Sequence, residues 1–114
     1  HRFDTLQIAD IYEIDKKHSR IAYFENEIYC EAIVNHKRKD LLLVATAVEI
    51  PQEQMPDIVL DNFKEGDYGS WGIDKTLAMK TPYGPWFYAI DISNDKKYLR
   101  IFYDRLGGFK KAPY

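Results

Sequence analysis

The stretch IPQEQMPDIVLDNFKE, residues 50–65, decides the fold. It is the one segment that reads cleanly as an amphipathic helix, and strand-like sequence flanks it on both sides. Pro56 suits a first helical turn, where a missing N–H costs nothing, and Asp57 complements the positive end of the helix dipole. Ile58, Val59 and Phe63 form an apolar stripe with Met55 and Leu60 near its edges, while Asp61, Asn62, Lys64 and Glu65 face away. Gly66 is the expected C′ residue. The spacing predicts a helix over 56–65. A helix so short is marginal alone in water, so its stripe must lie on a sheet.

Working outward, the flanks supply that sheet. Tyr12, Ile14 and Lys16 alternate with Ile11, Glu13 and Asp15, and Glu25-Asn26 reads as a turn. Residues 28–34 are rich in β-formers, 35–40 form a polar hairpin loop, and 41–50 make a long apolar strand. Beyond the helix, Trp71, Ile73, Leu77 and Met79 alternate with Asp74, Thr76 and Lys80. Two prolines and a glycine make 81–85 a turn, strands at 86–93 and 98–104 meet across 94–97, and Leu106-Gly107-Gly108 breaks the last strand. The expected architecture is α+β: an antiparallel sheet of about six to eight strands, with one main helix, and room for a second short one, on one face.

The two halves overlay without a gap. A shift of 59 residues lays Tyr29 on Tyr88, Ile14 on Ile73, Asp15 on Asp74, Lys16 on Lys75, Ile33 on Ile92 and Asn35 on Asn94. Such coincidences at strand and turn positions predict one domain over 1–114 built of two tandem β-meander units, about 1–53 and 54–114. Chance likeness between two meanders is the alternative. The shift leaves too few residues before Leu6 for a first helix.

Composition narrows the function classes. Sixteen Lys and Arg are interspersed with 18 Asp and Glu, for a net charge of −2, so no concentrated basic surface invites nucleic acid or an anionic membrane. Lys37-Arg38-Lys39 is the one basic run and reads as a solvated turn. No apolar run approaches a membrane span of about 20 residues. The chain opens at His1 without an initiator Met, which suggests a removed targeting segment. Cys30 is the only cysteine, so no internal disulfide forms, and a packed thiol is expected. His1, His18 and His36 lack metal-site spacing, and nucleophile elbows and phosphate loops are missing. No catalytic, cofactor or metal residue is assigned.

Strand alternation predicts which faces are buried. Trp71, Ile73, Leu77, Met79, Tyr88, Ile90, Ile92, Leu99, Ile101 and Tyr103 should meet the helix. The other face would then show Phe87, Tyr98, Arg100 and Phe102, with Tyr83 and Trp86 on the neighbouring turn. Aromatic rings mixed with Arg are what protein interfaces favour, so these six are the candidate protein-binding residues. The same shift puts Ile28, Cys30, Ala32, Val34, Leu41 and Leu43 on that open face, which is too apolar for a solvated sheet. Three explanations compete: a partner covers it, a second copy pairs there as a homodimer, or the faces of the first unit are inverted.

The order helix, strand, strand, strand resembles PepSY-like proteins and, more narrowly, the β-lactamase-inhibitor-like (BLIP-like) tandem proteins of Bacteroidetes. The residues that carry the likeness are Ile50, Pro56, Val59 and Phe63 leading into the helix, Tyr88 on the following hairpin, and the turn Asp104-Arg105-Leu106-Gly107. The first hairpin turn departs from it by lacking glycine. The resemblance implies a secreted or periplasmic, non-enzymatic module with a concave sheet able to hold another protein, inhibitor-like without implying inhibition of a β-lactamase. Composition and motifs add that no nucleic acid, cofactor or membrane span is expected. The rival from another class is a small apolar-ligand binder with a pocket between helix and sheet. An enzyme would need ionisable groups converging in a cleft, which no motif indicates.

Overall fold

A computed structural model describes residues 6–36 and 41–114; Lys37-Arg38-Lys39 lies outside the described residues. Among the described residues eight antiparallel strands form one sheet in plain chain order. Four precede the helix: β1 (Leu6–Glu13), β2 (His18–Glu25), β3 (Ile28–Asn35) and β4 (Leu42–Glu49). Four follow it: β5 (Gly72–Lys80), β6 (Trp86–Ser93), β7 (Tyr98–Tyr103) and β8 (Phe109–Lys110). A 3₁₀ turn over Gln52–Gln54 leads into helix α1, Asp57–Glu65.

Side-chain chemistry sets the turns. Asn26 and Glu27 both adopt positive φ, 52° and 68°, the twist that a two-residue hairpin between Glu25 and Ile28 requires. Asp15 accepts from the Lys17 and His18 amides between β1 and β2, and Asn94 does the same for Lys96 and Lys97 between β6 and β7.

Pro56 stands at the N-cap and Asp57 opens α1. Met55, Val59 and Phe63 are its buried stripe, while Ile58 is half exposed and has the edge role expected of Met55. Gly66 caps the helix in extended geometry rather than the left-handed conformation expected, so no C′ glycine motif forms. Gly107 supplies the left-handed residue instead, at φ +88° in the β7–β8 turn. Its carbonyl accepts from Asn62 Nδ2 at 2.8 Å, fastening the helix to that turn.

The helix rests on β5–β7. Met55, Val59 and Phe63 pack with Ile90, Ile92 and Tyr103, flanked by Ile73, Tyr88 and Ile101. That matches most of the expected face, but Leu77 and Met79 point to the opposite side. The cause is a β-bulge between Ile73 and Lys75, which inserts one residue and reverses the alternation for the rest of β5. Leu77 and Met79 join Ile33, Ala45, Ala47, Phe87, Ala89 and Phe102 in a second core on the inner side.

The 59-residue overlay does not preserve these faces. Tyr29 lies on the inner side and Tyr88 on the helix side. β3 begins at Ile28 and β6 at Trp86, an even separation, so an odd shift slips the register by one and turns every side chain over. Cys30, Ala32, Val34 and Leu43 therefore lie on the helix side; of the three explanations, inversion of the first unit's faces accounts for the misplaced residues.

Candidate binding surfaces

The structure divides the six candidate residues among three places. Phe87 and Phe102 are 2% and 7% exposed, with ring centroids 6.4 Å apart inside the inner core. They are not open anchors, because the sheet rolls and the chain covers its own inner side. Ala112 and Tyr114 pack against this core, and the Tyr114 ring lies 6.2 Å from Phe102 and 5.9 Å from His18 on β2. Tyr83 and Trp86 are exposed at one end of β6. Tyr98 pairs with Ser93 at the other end, roughly 23 Å away at the usual rise per residue. The six do not form one patch.

Arg100 holds the roll together. Its Nη1 and Nη2 donate to the two oxygens of Glu31 at 2.6 and 2.7 Å. Its Nε and Nη2 donate to Asp91 at 2.6 and 2.9 Å. Glu31 is on β3 and Arg100 on β7, with three strands between them in the sheet order, so the contact spans the inner side. Tyr29 Oη donates to Glu31 at 2.7 Å and completes the cluster. Burial pushes the Glu31 carboxyl up, but hydrogen bonds and charge from Arg100 outweigh it and leave it below the ordinary value. The Tyr29 phenol is raised, first by burial and then by its carboxylate neighbour. Sequence reading missed Glu31 as the mate of Arg100. The available signal was a lone carboxylate inside the apolar run IYCEAIV, a place that demands a buried counter-charge.

Two further cations on this side rest on rings rather than carboxylates. The Arg20 guanidinium lies 5.0 Å from the Tyr12 ring centroid, and Lys75 Nζ is 3.7 Å from that of Tyr29. Arg20, Lys75, Asp74, Asp91, Tyr98 and Arg100 line a cleft of about 350 Å³.

The helix side of the first half is different again. Register places Ile8 and Ile11 of β1 with Tyr23 and Ile21 of β2, and these with Cys30 and Ala32 of β3. Among the described residues, those buried with α1 come from α1, its lead-in and the second half of the sheet. Ile8 and Ile11 are 71% and 62% exposed, and Ile21 and Tyr23 are partly so. Cys30 lies low between them, and burial raises its thiol pKa. Among the described residues β1 is also an edge strand, pairing only with β2. Among the described residues no cluster of His, Cys, Asp or Glu could hold a metal ion, and no helix is long and apolar enough to cross a membrane.

Neither a protein-family model nor a curated protein matches the chain. Solved structures do match in fold. A DUF2874 family protein from Bacteroides ovatus is 17% identical with a TM-score of 0.59, over 91% of this chain and 74% of the other. A protein from Bacteroides eggerthii described as "putative periplasmic" is 14% identical with a TM-score of 0.65, over 91% and 76%. A BLIP-like protein from Bacteroides fragilis is 17% identical with a TM-score of 0.58, over 92% and 74%. At these identities the likeness is one of fold: an open antiparallel sheet with one helix, as in the BLIP-like neighbour. Their descriptions do not show the PepSY-like part of the sequence resemblance.

Proposed function

We propose that this chain is a non-enzymatic protein-binding module of the periplasm or cell exterior. It docks its partner on the helix side of β1–β3 and along the open edge of β1. The observation that supports this reading is the exposure of Ile8 and Ile11 on a sheet flank that α1 leaves uncovered. Apolar side chains on such a flank favour burial against another protein, and a free strand edge offers backbone hydrogen bonds to an extended segment of it. The extracytoplasmic setting draws on the eggerthii neighbour's description, and the binding role on the BLIP-like fold. Tyr83, Trp86 and Tyr98 stay available as subsidiary contacts, with Phe87, Arg100 and Phe102 supporting the sheet from within. Residues 1–53 and 54–114 are read as two tandem units, four strands on either side of α1.

The packing of α1 on the sheet favours this reading over an apolar-ligand pocket. Val59, Phe63, Ile90, Ile92 and Tyr103 are buried against one another beneath the middle of the helix.

Quantitative pull-down from periplasmic extract tests the proposal. A partner retained by wild type and by Tyr83→Ala should be lost by Ile11→Asp. Equal recovery of every bound protein by all three chains would count against this surface. Light scattering after size exclusion identifies a second copy as the partner if the wild type is dimeric and Ile11→Asp monomeric.

A further inference from the structure

We infer that the cleft lined by Arg20, Lys75 and Arg100 is a carboxylate-binding site, with Arg20 and Lys75 as its donors. This inference does not depend on the docking surface above, which lies on the other side of the sheet.

Four hydrogen bonds commit Arg100 to Glu31 and Asp91, so it holds the floor of the cleft and has little left for a ligand. Arg20 is in the opposite condition. Among the described residues its guanidinium has no hydrogen bond or ion pair, and its Nε is shut off from water without an acceptor. A buried donor left unmet is costly and uncommon in native proteins. The nearby carboxylates do not relieve it: Glu31 and Asp91 are turned to Arg100, and Asp74 accepts from Ser93 Oγ at 3.1 Å. Lys75 likewise sits on the Tyr29 ring, with no carboxylate partner among the described residues.

Two cations are thus held in place by aromatic rings and left without counter-ions at the wall of one cleft. The charges around them choose the ligand. Glu31, Arg100 and Asp91 together carry one negative charge and Asp74 another, which offsets Arg20 and Lys75. A compact polyanion such as phosphate would press its charge on these carboxylates, whereas a carboxylate group can take both oxygens to the planar guanidinium fork and stay within reach of the ammonium. The cleft, at about 350 Å³, suits a small carboxylic acid or one acidic side chain of a larger molecule.

The test is a titration of the ¹⁵N-labelled chain, following backbone amides and arginine Nε–H signals. Sodium acetate, sodium succinate and a short Glu-containing peptide are the probes, at ionic strength held constant with chloride. Saturable shifts centred on Arg20, Lys75 and Asp91 are expected. Arg20→Gln and Lys75→Gln should each weaken binding about tenfold or more, the loss of a hydrogen bond to a charged group, and Lys64→Gln on the helix should not. Tighter binding of the peptide identifies an acidic protein segment as the source, and tighter binding of acetate or succinate a small molecule; both support the site. Unsaturable shifts with all three probes would overturn it. So would folded Arg20→Gln or Lys75→Gln chains that bind like wild type. Lys75→Gln alone carries the test if Arg20→Gln does not fold. Ile11→Asp should leave these titrations unchanged even if it abolishes docking, which keeps the two proposals separable.

Discussion

The helix side of this sheet has two halves of similar chemistry and opposite fate. On β5–β7, Ile90, Ile92 and Tyr103 are sealed beneath Met55, Val59 and Phe63. On β1–β3, Ile11, Ile21 and Tyr23 occupy comparable positions, and Ile11 is mostly in water. Residue type alone does not decide burial here. The one amphipathic helix does, because a sheet face becomes core only where another element is laid over it. The uncovered half is consequently where apolar surface remains to be buried by something else.

Substitutions that remove the cover test this contrast hardest. Phe63→Ala should lower unfolding free energy by about 3–5 kcal/mol, the range for emptying a buried aromatic site, read from urea midpoints. Arg100→Leu attacks the clamp between the halves. Leaving Glu31 buried and unpaired should cost about 3 kcal/mol or more, measured the same way. The same pair gives a pH test. Glu31 titrates below its ordinary value of 4.5 when folded, so its contribution is complete above that pH and is lost as pH falls through the folded value. Acid denaturation should therefore be less steep in Arg100→Leu than in wild type.

Smaller effects sharpen the comparison. A Cβ at Gly107 would sit 2.6 Å from Asn62 Nδ2 and 3.0 Å from Ile58 Cγ1 in left-handed geometry. Gly107→Ala should cost about 1–3 kcal/mol by loosening the turn from the helix, seen as faster amide exchange in α1. Ile11→Ala on the uncovered half should change stability by no more than about 0.5 kcal/mol. A loss there as large as at Phe63 would show that the two halves are not different after all.

Much of the architecture is readable in the sequence, for physical reasons that also explain the failures. The helix announces itself through Pro56 and the Val59–Phe63 stripe, and the turns through Asn26, Asn94 and Gly107, since local chemistry dictates both. Face assignment holds for Ile73, Tyr88, Ile90, Ile92, Ile101 and Tyr103, where strict alternation persists. It fails at Leu77 and Met79 because one inserted residue at a bulge leaves no mark in a two-residue period. The candidate site fails for a longer-range reason. Phe87 and Phe102 lie on the predicted side, but no local pattern tells that the sheet rolls far enough for Arg100 to reach Glu31, 69 residues away. The exposed flank at Ile8 and Ile11 is equally hidden, because nothing local to that strand tells that the one helix covers only the second half of the sheet.

The central claim is that the first half of the helix side is free in the folded chain. Isoleucine δ1-methyl NMR with a soluble paramagnetic probe measures it directly. The signals of Ile8 and Ile11 should relax strongly, while those of Ile90 and Ile92 should be nearly unaffected. Protection of Ile8 and Ile11 equal to that of Ile90 and Ile92 in the monomer would contradict the account.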